Sequence, residues 1–195
     1  MRIAVCGGTF DPFHRGHLEP VLAVRDRMGW DRIMYVPAWR QPFKADRDAT
    51  SGYHRFAMAV LATHKNDIIY ISPIELERGG TSYTVETLEV LHDHYPKAEF
   101  DWIIGDDNVT QLGQWKRIDR IVQLARFVVL TRSGGEMIPA AVSRDRIVYA
   151  ENNTVPVSST EIRSRVRAGE PIDGFVDPLV SRYIQHYGLY KEVQT

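Results

Sequence analysis

A chain of 195 residues, 44% of them hydrophobic, is long enough to bury one full core, and residues 1–195 are read as a single domain. A formal net charge of −1 and a pI near 6.7 exclude the broad positive footprint of a protein that neutralises nucleic-acid phosphates, and leave small anionic ligands open. The sole cysteine, Cys6, excludes an internal disulfide framework, and no apolar run approaches the roughly 20 residues of a membrane helix, so the expectation is a cytoplasmic protein with no nucleic-acid or membrane partner.

In chain order, β-branched and aromatic runs alternate with amphipathic stretches. A strand over Ile3 to Cys6 leads to a helix over Leu18 to Met28, then a strand over Arg32 to Val36 and a helix over Phe56 to His64. A third strand, Ile68 to Ile71, precedes a helix over Val85 to His94, and a fourth, Phe100 to Ile104, precedes one over Ile118 to Leu124. Strands over Phe127 to Thr131 and Ile147 to Tyr149 follow, then helices over Ile162 to Arg167 and Leu179 to His186. Gly29 and Gly188 sit where a left-handed residue ends a helix, and Pro96 stops the third one. Pro37 to Thr50 and Arg132 to Asp145 read as long loops. The alternation predicts an α/β fold, a doubly wound and mostly parallel sheet with helices on both faces, whose ligand site lies at the carboxyl ends of the strands.

Three clusters carry chemistry. Behind the first strand, Gly7-Gly8-Thr9-Phe10 leads into a helix expected to begin near Phe13 or His14; glycines admit close approach of a phosphate, and free amides at a helix start attract anions. The segment lacks the Lys-Ser/Thr ending of a P-loop and the third glycine of a dinucleotide fingerprint. His14 and His17, three residues apart, fall on one helix face and can point together at what those amides hold. A metal pair, or one histidine capping the helix and the other on the surface, are the alternatives. Near the carboxyl end, Ser158 stands three residues before Glu161 as a capping box, and Ser159, Thr160 and Arg163 add two hydroxyls and a guanidinium in the same turn. Cap alone and anion site both fit. In the run Ile103 to Asn108, Gly105 is followed by Asp106 and Asp107; one acid is expected to cap the next helix and the other to accept from ribose hydroxyls.

Taken together, GGTFDPFHRGHL, TSYTVETL, IIGDDN with Trp115 after it, VSSTEIR and YIQHYGLY resemble the nucleotidyltransferases with the His-x-Gly-His signature, here His14-Arg15-Gly16-His17, and within them the bacterial nicotinate-nucleotide adenylyltransferases. The likeness runs essentially end to end. It implies a Rossmann-like fold and adenylyl transfer from ATP to nicotinate mononucleotide in NAD biosynthesis, with magnesium carried by ATP and no dedicated metal site on the protein. It further implies that His17, His14 and Arg163 are catalytic, that Gly8, Thr9, Phe10, His14, His17, Gly105, Asp107, Ser159, Thr160 and Arg163 bind ATP, and that Lys44, Tyr83, Thr84 and Trp115 meet the acceptor. The sequence departs from the family at Gln41-Pro42-Phe43-Lys44, where Pro-His before a basic residue is common, and at Asp106, where a small or apolar residue is common. A packing role for Trp115, ahead of Ile118 and Ile121 at helical spacing, stands beside its ligand role.

A phosphate monoester acceptor is already anionic at neutral pH, so no general base is required. Relatives acting on nicotinamide mononucleotide or phosphopantetheine, and a nucleotide-binding module without turnover, are the competing readings. A fragment like the class I aminoacyl-tRNA synthetases fits least. A homo-oligomer is left open.

Overall fold

The computed structural model describes residues 1–42, 49–131, 137–152 and 155–191. The elements are β1 (Arg2–Gly8), α1 (Arg15–Met28), β2 (Arg32–Pro37), α2 (Gly52–Thr63), β3 (Ile69–Ile71), α3 (Ile74–Arg78), α4 (Thr84–His94), β4 (Glu99–Gly105), α5 (Ile118–Leu124), β5 (Ala125–Thr131), β6 (Ile147–Glu151), α6 (Ser159–Arg167) and α7 (Pro178–Tyr187). Every expected strand and helix is present with ends moved by a few residues. Three helical segments were not expected, one of them a single 3-10 turn over Arg144–Arg146 ahead of β6. The five-residue α3 is too short to display a helical period, and a 3-10 segment over Asp106–Gln114 continues directly from β4.

All strand pairs are parallel, in the order β3-β2-β1-β4-β5-β6. That is the Rossmann order, and the sheet among the described residues is wholly rather than mostly parallel. Chain direction across the sheet reverses after β3. Because parallel crossovers are right-handed, the reversal puts α1 and α2 on one face and α4 and α5 on the other.

The two faces can be read from residue parity along each strand. Ile3, Val5, Met34, Val36, Trp102, Ile104, Phe127 and Val129 join Val85, Leu88 and Leu91 of α4 and Ile121 of α5 in one core layer. Their alternates Ala4, Cys6, Ile33, Tyr35, Ile103 and Val128 pack with Val21 and Val24 of α1 and Ala59 of α2 in the other. Cys6 is buried in that second layer, where desolvation pushes its thiol far up from the ordinary range, so its place in the fold is packing. A third cluster seats Ile162 of α6 and Val180 and Ile184 of α7 on Met58 of α2. This contact swings the carboxyl-terminal helices back over the sheet edge that carries the first turn.

Local sequence sets the helix ends. Gly29 and Gly188 adopt the left-handed conformation, with φ of 66° and 60°, and close α1 and α7. Asp177 accepts from the Leu179 amide and Pro178 opens α7, a favourable start for a helix. The Ser158 hydroxyl accepts from the Glu161 amide at 3.2 Å, as the capping pattern required. The expected acidic cap after β4 is not formed. Gly105 occupies the cap position without a side-chain cap bond, and Asp107 Oδ1 instead accepts from Asn108 Nδ2 at 2.8 Å.

Candidate active site

The crevice of the sheet opens between β1 and β4, where the strand order reverses. β1 stays paired to β2 as far as Gly8↔Pro37, but its pairing to β4 ends at Val5↔Trp102. Beyond that point the carboxyl ends part, and the Trp102 indole fills the space below Gly7. A Cβ on Gly7 would lie 2.8 Å from Trp102 Cζ2, and one on Gly8 would lie 2.8 Å from the Phe10 ring. Both glycines are therefore demanded by close approach of aromatic rings.

Phe10 does not face outward. It is buried, adopts a φ of 54°, and packs edge-on to the His17 and Tyr35 rings at 5.0 and 5.7 Å. His14 is the residue that caps α1, and His17 lies three positions inside it. Their rings stack, with centroids 3.7 Å apart and planes 24° from parallel. The face-sharing expected from their spacing is thus realised. His17 Nδ1 accepts from the His14 amide at 3.2 Å, which makes Nε2 the proton-bearing nitrogen of the neutral ring. The Tyr35 hydroxyl, buried beneath, donates to the His17 carbonyl at 2.9 Å and fixes the backbone from below.

Burial shifts the two histidines apart in character. His14 is 6% exposed, its Nδ1 has no hydrogen-bond partner among the described residues, and desolvation lowers its pKa to about 4. Its imidazole is neutral at physiological pH. A stability consequence follows from linkage: between pH 6.5 and about 4 the unfolded chain takes up a proton that the folded ligand-free chain refuses. Melting temperature is expected to fall across that window on acidification, and a His14→Gln variant to show a shallower slope. Parallel slopes for the two proteins would remove His14 as the cause.

The carboxyl-terminal cluster meets the first turn directly. Ser159 Oγ donates to the Pro12 carbonyl at 3.1 Å, and Arg163 Nη1 to the Asp11 carbonyl at 2.6 Å, across a cis Asp11–Pro12 peptide. Arg163 Nη2 also reaches Thr160 Oγ1 at 3.4 Å. Asp11 is itself buried, and each of its carboxylate oxygens is engaged: Oδ2 accepts from the Thr50 amide at 3.0 Å and Oδ1 from the Tyr190 hydroxyl at 2.6 Å. Burial and the nearby Asp11 charge push the Tyr190 phenol well above its usual range, so it remains a donor. Clusters far apart in sequence thus share one wall.

On the opposite side of β1, Gly105 ends β4. A Cβ there would lie 2.6 Å from Asp107 Oδ1, so glycine allows the carboxylate to fold back over the strand end. Asp106 and Asp107 are exposed. Tyr83 caps α4 and Thr84 begins it; the Tyr83 ring is half-buried against the core with Lys116 Nζ 4.1 Å from its centroid. Trp115 is also half-buried, edge-on to Phe127 at 5.9 Å, so the packing alternative for it is realised whatever else it touches. The segment leaving β2 is pinned to the same region, Trp39 N–H donating to Ser82 Oγ at 3.0 Å and Ser82 N–H to the Arg40 carbonyl at 2.8 Å. Phe43 and Lys44 lie outside the described residues.

Sequence reasoning passed over Asp11, Tyr35, Arg55, Glu75 and Tyr190. Glu75 is 3% exposed, and burial raises its pKa; it accepts from Thr87 Oγ1 at 2.5 Å beneath the start of α4. Asp11 and Tyr190 carried a local signal, Asp11 inside the glycine and histidine motif and Tyr190 at the end of YIQHYGLY. No group of three or more His, Cys, Asp or Glu residues able to hold a metal ion occurs among the described residues, and none of the described helices is long and apolar enough to cross a membrane.

Known proteins share the sequence pattern and the fold of this chain. A family model described as cytidylyltransferase-like matches residues 5–165. The probable nicotinate-nucleotide adenylyltransferase of Thermoanaerobacter sp. (strain X514) is 38% identical over 98% of this chain and 95% of its own length. That of Gemmatimonas aurantiaca is 39% identical over 98% and 93%. Among solved structures, the Plasmodium falciparum nicotinic acid mononucleotide adenylyltransferase complexed with NaAD superposes with a TM-score of 0.77 at 19% identity, covering 97% of each chain, a likeness of fold. With the family model spanning most of the sequence and full-length relatives this similar, the chain belongs to the cytidylyltransferase-like family and, within it, to the nicotinate-nucleotide adenylyltransferases.

Proposed function

We propose that the chain transfers the adenylyl group of ATP to nicotinate mononucleotide, releasing pyrophosphate and forming the deamido dinucleotide of NAD biosynthesis. The relatives named above support the reaction. The observation that carries it is the junction of the first turn with α6, where Arg163 and Ser159 bond the Asp11 and Pro12 carbonyls beside the stacked His14 and His17. Imidazoles, a guanidinium, hydroxyls and helix-start amides on one wall form a surface for polyphosphate.

In this reading Gly8, Thr9, Phe10, His14, His17, Ser159, Thr160 and Arg163 make the ATP wall, Phe10 acting from beneath as the ring against which His17 rests. Gly105 and Asp107 take the adenosine ribose, and Lys44, Tyr83, Thr84 and Trp115 the acceptor. An oxygen of the acceptor phosphate attacks the α-phosphorus, and the bond to the bridging oxygen breaks with its electron pair leaving on pyrophosphate. The residues have no proton to remove; they bring two anions into line and spread the charge that grows on the α-phosphate. The Asp11 carboxylate, the buried acid of the turn, is already held by Thr50 and Tyr190, which fits magnesium arriving on the ATP phosphates with most of its water rather than in a protein cage. In the same reading the chain acts as one domain, which the core cluster shared by α6, α7 and α2 supports.

The test is pyrophosphate release from ATP and magnesium with nicotinate mononucleotide, nicotinamide mononucleotide and phosphopantetheine as parallel acceptors. Release is expected with the first and at a lower kcat/KM with the second. Preference for either of the other two would reassign the acceptor, and silence with all three would overturn the enzyme reading.

A further inference from the structure

One buried side chain, marked out by nothing in its local sequence, gathers three separate strands of backbone around the site. Arg55, near the start of α2, is 2% exposed. Its Nη1 donates to the Thr9 carbonyl at 2.5 Å, its Nη2 to the Ala38 carbonyl at 2.6 Å and its Nε to the Thr50 carbonyl at 2.8 Å. A guanidinium is planar and its donors form a rigid fork, so carbonyls bonded to one are fixed relative to one another. Two of the three points are tied again to the first turn: Ala38 N–H donates to the Gly8 carbonyl at 2.8 Å, and Thr50 N–H to Asp11 Oδ2 at 3.0 Å.

The three carbonyls belong to different parts of the site. Thr9 lies in the turn assigned to the ATP phosphates. Ala38 opens the segment whose next residue, Trp39, is pinned by Ser82 beside Tyr83 and Thr84, the acceptor side. We propose that Arg55 is a positioning residue that couples the ATP turn to the acceptor side, holding Thr9 and Ala38 at a fixed separation so that occupancy of one is felt at the other. The proposal rests on the adenylyl-transfer reading. Arg55 is assigned to neither substrate in it and acts through the backbone it bonds.

Lysine at this position keeps the charge but carries it at one point, and cannot bond three carbonyls spread around a fork. The Arg55→Lys enzyme is expected to bind either substrate alone within about twofold of the wild type, while kcat falls about tenfold and the factor by which each substrate tightens binding of the other drops by about tenfold, equally for both because coupling is reciprocal, the ratio carried by loss of one charge-assisted hydrogen bond. A tightening factor that stays at the wild-type value, read as the Kd of a non-hydrolysable ATP analogue with and without nicotinate mononucleotide, would overturn the coupling. A second measurement needs no variant. Amide hydrogen exchange of the wild-type protein with a non-hydrolysable ATP analogue and magnesium is expected to slow at Gly8 and Thr9 and also at Trp39 and Thr50. Protection at Gly8 and Thr9 alone overturns the coupling, whereas no protection anywhere counts against ATP binding and so against the reading beneath it.

Discussion

Replacing His17 with alanine is expected to lower kcat by about 100- to 1,000-fold, the loss of about 3 to 4 kcal/mol that follows removal of one preorganised donor to a transition-state oxyanion. The structure sharpens which atom is at stake. With Nδ1 occupied by the His14 amide, the Nε2 proton is the one the ring can offer, and Tyr35 holds the His17 backbone while Phe10 holds the ring edge. A donor aimed in advance costs no reorganisation as charge grows on the α-phosphate. KM for ATP is expected to change far less than kcat, because the contact strengthens only as that charge develops. The His14 ring loses its stacking partner in the variant, so turnover is to be measured alongside thermal melting. A folded His17→Ala enzyme turning over within a few-fold of the wild type would remove His17 from the chemistry.

How much of this was legible in the sequence depends on the range of the interaction involved. Short β-branched and aromatic runs located the six strands because a strand covered on both faces is apolar along its length, Ile3 and Val5 facing one layer and Ala4 and Cys6 the other. Caps such as Gly29 and Ser158 are also decided within a turn. The glycine and histidine motif was readable for the same reason: Gly8, His14 and His17 meet within ten residues. The scaffold of the site was not readable. Arg55 meets Thr9 across 46 positions and Tyr190 meets Asp11 across 179, and in its own helix Arg55 looks like any solvated charge. Nor does local pattern separate Asp106 from Asp107 as a cap, since neither caps and the glycine before them takes that place. Trp115 shows the converse, an aromatic whose contact with Phe127 follows from its spacing and leaves its ligand role to be established by kinetics.

Stability has its own long-range centre, away from the chemistry. Asp101, 2% exposed in the middle of β4, accepts from Trp30 Nε1 at 2.7 Å and from both Nε and Nη2 of Arg126 at 2.9 and 2.7 Å. Alanine at position 101 would strand a buried indole N–H and the inner face of a guanidinium. Breaking a buried pair in this way costs about 3 to 5 kcal/mol, and the lower end applies because water still reaches part of Arg126. At about 2 to 4 °C per kcal/mol for a domain of this size, the melting temperature is expected to drop by roughly 6 to 12 °C. Asparagine is not a rescue, since its amide N–H₂ would face one of the same donors. Removing both ends of the pair, Asp101→Leu with Arg126→Leu, is expected to recover part of the loss, because no charge is then left buried without its partner. Below its melting temperature the alanine variant should turn over like the wild type, for Asp101 lies four residues, two periods of the pleat, before Gly105, and its side-chain hydrogen bonds run to Trp30 and Arg126. A melting shift of only a degree or two would mean that Trp30 and Arg126 find water or other acceptors once the carboxylate is gone.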